Sequence, residues 1–161
     1  MVHATVLTAM GGVAAALPHA EAAAATYREL GFPLSLARTL CTVGRIRAKL
    51  GEVDAARRAL FDGLIEQRRA NRDIALPGLL EAIAGIYPDA PVAPQLLGSA
   101  AALREQWNVL VFPAERAEYE SWHTAVRAKH TDADFDRAFA AGRSLTRDDA
   151  IQSALALHKS S

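Results

Sequence analysis

Gly51-Glu52-Val53-Asp54-Ala55-Ala56 repeats, 40 residues on, the pattern of Gly11-Gly12-Val13-Ala14-Ala15-Ala16. The surrounding chain keeps the same interval, since Tyr27-Arg28-Glu29-Leu30-Gly31 aligns with Gln67-Arg68-Arg69-Ala70-Asn71. Self-similarity at a fixed spacing of this size marks a stacked repeat array, in which one supersecondary unit buries its apolar face against the next. Upstream of the second copy, Leu34, Ala37, Leu40, Val43, Gly44 and Ala48 recur at threes and fours, the period of a helix with one buried face. Leu50-Gly51 ends that helix with a residue free to adopt the left-handed cap conformation. A second helix is expected over about Val53 to Ala70, with Ala56, Leu60, Gly63, Leu64 and Gln67 on one stripe. Two helices joined by a tight glycine turn form an antiparallel hairpin.

The interval extends in both directions. Leu80, Ile83, Ala84 and Tyr87 lie 40 residues after Leu40, Val43, Gly44 and Arg47. Pro88-Asp89-Ala90-Pro91 then replaces the glycine turn and shortens the unit, so that Ala93, Leu97 and Ala100 follow Ala56, Leu60 and Gly63 by 37. Pro94 and Pro18 are both expected near the starts of second helices, where a missing N–H costs nothing. Backwards, the register predicts a helix over about Val13 to Leu30 and leaves only Met1 to Met10 for its partner. The expected repeats are thus about 1–31, 34–71 and 74–108. Beyond them, Pro113 opens a helix through about Lys129, Thr131-Asp132 precedes a short helix stopped by Gly142, and Thr146-Arg147-Asp148-Asp149 starts a last one. No segment alternates as a strand would. The sequence therefore predicts an all-α fold, one antiparallel helix-hairpin array with a C-terminal helical cap over 113–158.

The hairpin at 34–71 resembles a tetratricopeptide repeat, with Leu40, Val43, Gly44 and Arg47 on its first helix and Ala56, Leu60 and Gly63 on its second. Physically, Gly44 and Ala56 let the backbones approach while Leu40 and Leu60 fill the space between helices. The chain departs from the family at Arg47, where an aromatic is usual, and at Arg68, where a proline is frequent. From Leu97-Gly98-Ser99-Ala100-Ala101-Ala102-Leu103-Arg104-Glu105, through Pro113-Ala114-Glu115-Arg116-Ala117-Glu118-Tyr119-Glu120, to Phe135-Asp136-Arg137-Ala138-Phe139-Ala140-Ala141-Gly142, the chain is similar to the C-terminal region of large bacterial LuxR-type or STAND-like ATPase transcriptional regulators and cyclase-linked predicted ATPases. That resemblance implies a regulatory or sensing module whose nucleotide chemistry and DNA reading lie elsewhere. The sequence has no G-x-x-x-x-G-K-[ST] phosphate loop and no recognisable DNA-reading helix-turn-helix.

Charge narrows the partner. Eighteen basic and eighteen acidic residues cancel, which argues against direct nucleic-acid binding, where an excess of Lys and Arg neutralises phosphate. The balance is uneven: residues 34–73 carry nine basic and five acidic side chains, residues 74–161 eight and eleven. The single cysteine, Cys41, cannot form an intrachain disulfide and fits a reducing compartment, the cytoplasm by expectation. The apolar first twenty residues lack a positively charged lead and are interrupted by Gly11-Gly12, so a repeat helix explains them better than a signal peptide. No apolar run reaches the roughly 20 residues of a transmembrane span.

No residue pattern points to catalysis. There is no G-x-S-x-G elbow, and Asp132, Asp134 and Asp136 surround a helix start, where capping and the dipole explain them. Glu120 and His123 share a helix face with His130 two turns on, yet no further ligand is indicated, so no metal or cofactor is expected. Cys41 lacks a Cys-x-x-Cys partner and reads as a small residue on a helix face. Arg38, Cys41, Arg45 and Lys49 occupy the non-packing positions of a first helix, which in this kind of hairpin lines a concave groove. Three positive charges along it would receive an acidic segment or an anion. Trp107 and Trp122 are expected to plug the junction between the last repeat and the cap, or else to serve as exposed anchors. The leading expectation is a non-catalytic protein-interaction module whose partner is another protein or the rest of a larger regulator. A small-molecule effector sensor and a homodimer through the N-terminal helices are the alternatives.

Overall fold

A computed structural model describes residues 2–70, 74–111 and 113–159, with side chains from residue 12 onward except at 114 and 159. Among the described residues the structure is all-helical, with eight helices and no strand. They gather into two compact units, Met1–Ala70 and Asn71–Ser161.

The first unit holds α1 (Val2–Glu29), α2 (Pro33–Lys49) and α3 (Val53–Arg69), with α2 packed against both neighbours. The expected hairpin at 34–71 is α2 and α3. Leu36 and Leu40 of α2 cluster with Ala24 of α1, with Tyr27 packed against them, while Ala56, Leu60 and Leu64 of α3 are fully buried, each large side chain contributing about 1.5–3 kcal/mol over exposure. Gly44 fulfils the role expected of it: a methyl group there would lie 2.6 Å from Leu60 Cγ and 3.2 Å from the Ala56 carbonyl oxygen. At the turn, Gly51 has φ +78°. The Gly51 amide donates to the Ala48 carbonyl at 3.1 Å and the Glu52 amide to that of Arg47 at 2.9 Å, closing the helix end with the paired bonds of a Schellman motif.

The first copy of the echo behaves differently. Instead of a short helix over 1–10, a turn and a second helix, α1 runs unbroken from Val2 to Glu29, through Gly11-Gly12 and with Pro18 in its interior. Alanines on both sides of these residues are the best helix formers and offset the glycine cost of about 1 kcal/mol each. The turn that does recur is Leu30-Gly31, twenty residues before Leu50-Gly51. Gly31 has φ +69°, and the Phe32 amide donates to the Tyr27 carbonyl at 3.0 Å.

The second unit opens with α4 (Leu76–Ile86) and α5 (Ala93–Trp107), joined by the expected proline turn, with Pro94 in the first turn of α5. The remaining helices are α6 (Pro113–Arg127), α7 (Asp132–Arg143) and α8 (Arg147–Lys159). Thr131 and Thr146 cap α7 and α8, each hydroxyl accepting the amide of the aspartate three residues on, at 3.2 Å. Leu79, Leu80, Ile83, Leu96, Leu97 and Ile151 form the fully buried core. Helix α5 is its axis, packing on α4, α7 and α8.

Against α7 the approach is backbone to backbone. A methyl group on Gly98 would overlap the Phe139 carbonyl, and one on Gly142 the Gln95 carbonyl. Between them the Ser99 hydroxyl bonds the Gly142 carbonyl oxygen at 2.9 Å. Gly142, expected as a helix stop, is instead a buried packing residue inside α7, which ends one residue later.

Candidate interaction surfaces

On α2, Arg38, Thr42, Arg45 and Lys49 fall at intervals of four, three and four, one stripe along the axis. Arg38, Thr42 and Lys49 are exposed and Arg45 is half-buried. Cys41, grouped with them in the sequence reading, is turned aside and buried at 7% exposure. It is therefore a packing residue on the flank of the stripe rather than a surface residue.

A cavity of about 310 Å³ lies in the same unit on the opposite side of α2. Its floor is Leu40, Val43 and Arg47, half a helix turn from the cationic stripe. Helix α1 adds Glu21 and Arg28 to the lining and α3 adds Arg58 and Asp62. Arg47 bridges the helices: its guanidinium pairs with Glu21 of α1 and with Glu52 at the α2–α3 turn. The Glu21 hydrogen bond, offset in part by burial and helped by the charge of both carboxylates, holds its pKa above the ordinary arginine value. The position where the resembled family has an aromatic is thus filled by an ion-paired side chain.

The two tryptophans part company. Trp122 on α6 is half-buried, its indole lying where a side chain on Gly85 of α4 would stand. Trp107, at the end of α5, is 48% exposed and does not plug a core. It lines a cavity of about 400 Å³ with Leu103, Gln106, Arg143, Leu145 and Arg147.

Sequence reasoning missed an ion pair inside the second unit. Glu81, 2% exposed, accepts two hydrogen bonds of 2.7 Å from Arg104, which is itself 15% exposed. Burial weighs most heavily and works against the Arg104 charge. The bonds and charge of Glu81 outweigh it, leaving the guanidinium above its ordinary value. The signal was a glutamate inside the apolar run Leu79-Leu80-Glu81-Ala82-Ile83, with an arginine on the following helix.

His123 is close to this pair. Its ring lies 4.3 Å from that of Tyr119 and 6.5 Å from that of Phe139. Its buried Nε2 has no hydrogen-bond partner among the described residues. Burial, with a smaller contribution from the Arg104 charge, pushes its pKa down. His130 shares a 3.0 Å hydrogen bond with the Pro88 carbonyl, and Glu120 is exposed. Among the described residues no group of three or more His, Cys, Asp or Glu could hold a metal ion. No helix among them is long and apolar enough to cross a membrane.

Relatives of this chain include two mycobacterial proteins named provisionally as HTH-type transcriptional regulators, Mb0914c of Mycobacterium bovis and Rv0890c of Mycobacterium tuberculosis. Each is 34% identical over 110 residues, which is 66% of this chain. The chain spans about 12% of the length of these relatives. No protein-family model matches the chain, and no solved structure does.

Proposed function

We propose that the chain is a non-catalytic protein-interaction module belonging to a transcriptional regulator of the kind its relatives are named for. The observation that carries this reading is the Arg38, Thr42, Arg45, Lys49 stripe. It runs along a helix whose other faces are packed on α1 and α3, which leaves Arg38, Thr42 and Lys49 exposed. Its occupant is an acidic segment, from another protein or from the rest of the regulator, taken up through charge-assisted bonds to the guanidinium groups. DNA reading and nucleotide chemistry belong to other parts of such a regulator. The neutral charge of this chain agrees with that division.

A fluorescein-labelled glutamate-rich peptide is the probe, with binding read by anisotropy at low and high salt. Arg38→Glu with Arg45→Glu should weaken binding roughly tenfold or more, as expected when two charge-assisted contacts are reversed. Arg28→Glu with Arg58→Glu, in the cavity across α2, should change it little. Unchanged binding by the first pair with helicity intact removes the stripe as the contact surface.

Two further readings rest on separate observations. Effector sensing is supported by the cavity beside Trp107. Homodimerisation through the N-terminal helix is supported by the exposed run Ala14-Ala15-Ala16 on α1; a monomer by light scattering at high concentration removes it.

A further inference from the structure

We infer that the cavity between the end of α5 and the α7–α8 turn is a binding site for a small planar aromatic carboxylate. Three features of the second unit converge there, none of which depends on the stripe of α2.

The first is size and lining. The cavity holds about 400 Å³, within the range of small-molecule pockets of roughly 300–1,000 Å³. Its walls combine the apolar Ala102, Leu103, Leu145 and Ala150 with the polar Ser99, Gln106 and Thr146. The second feature is Trp107. Phe135, an aromatic core residue of the same unit, is 5% exposed, yet this indole keeps 48% of its surface in water. A flat ring stacked on it would remove apolar area from water on both partners and add the offset-stacking preference of aromatic pairs.

The third feature is the pair of guanidinium groups. Arg143, from the last turn of α7, and Arg147, from the first turn of α8, both line the cavity. Arg143 is held by Glu105 in a two-bond pair of 3.0 and 2.7 Å, which leaves its remaining N–H groups unused by that partner. Arg147 bonds Asp148 at 2.9 Å. The carboxylates that neutralise them are 64% and 79% exposed. Exposed pairs are screened by water and salt, so a ligand carboxylate can compete with Glu105 and Asp148 for these guanidinium groups. The Gln106 amide, exposed at the rim, is a further donor. Ring on Trp107 and carboxylate between Arg143 and Arg147 is the pose these positions define.

Indole-3-carboxylate is the probe and indole-3-carboxamide its uncharged control, titrated into the full chain while the two tryptophan indole N–H resonances are followed by NMR. The resonance absent from Trp107→Phe identifies Trp107. The carboxylate should shift that resonance saturably, leave the Trp122 resonance in place, and bind roughly tenfold more tightly than the carboxamide. Arg143→Gln with Arg147→Gln should abolish the difference between the two compounds. Equal binding of carboxylate and carboxamide to the wild type overturns the role of the arginines without recourse to any variant. Inorganic phosphate displacing the probe at comparable concentration overturns the aromatic requirement, and no saturable shift at the solubility limit of the probe overturns the site.

Discussion

Glu81 and Arg104 form a largely buried ion pair. Glu81→Leu leaves a largely buried guanidinium without its counter-charge. It should lower the unfolding free energy measured in urea by about 3 kcal/mol, the lower end for a broken buried pair because Arg104 keeps an exposed edge. Adding Arg104→Met should restore most of that loss, since an apolar pair of similar volume is often neutral. His123 supplies the pH dependence. Its pKa is depressed on folding, so below the ordinary histidine range, about pH 6.5, the unfolded chain binds more protons than the folded one. Stability present above that pH falls as the medium acidifies, until the lowered folded value is passed. His123→Phe should flatten this slope in urea titrations between pH 7 and 5. It should not weaken the protein at pH 7, because it replaces a buried nitrogen without a hydrogen bond. A slope equal to that of the wild type would place the pH dependence on other groups.

Among the helices, the glycines separate into two kinds that sequence alone treats alike. Gly12 lies inside α1 with nothing near its missing methyl group, whereas Gly98 lies against the backbone of α7. Gly12→Ala should therefore stabilise by about 0.5–1 kcal/mol, the cost of glycine in a helix interior. Gly98→Ala should destabilise by about 3 kcal/mol, the upper end of overpacking, because no flexible side chain is present to yield. Pro18→Ala restores a backbone donor to α1 and should raise helicity by circular dichroism together with the melting temperature. Helix positions were legible because each rests on local signals: proline in the first turn, threonine caps, Leu-Gly stops and threefold-fourfold spacing. The first turn was misplaced for the same reason. Gly11-Gly12 and Gly51-Glu52 look alike locally, but only the second pair has a helix on each side to join.

At the scale of the whole molecule, each unit carries its own buried core, and both tryptophans lie in Asn71–Ser161. Tryptophan fluorescence thus reports on one unit and circular dichroism on both. In Glu81→Leu the fluorescence transition should move to lower temperature while a share of the helical signal persists to the wild-type range; coincident transitions would show that the units unfold as one. By itself the sequence determined the all-helical class, most of the helix ends and the packing role of Gly44, because these follow from period, caps and the absence of a side chain. The tertiary structure decided which polar residues are partners and which small residues are contacts. It joined Glu81 to Arg104 and Arg47 to Glu21, turned Cys41 inward, left Trp107 in water and set Gly98 and Gly142 against facing backbones. Those outcomes depend on which helix lies opposite, and a periodic pattern carries the phase of one helix but not the identity of its neighbour.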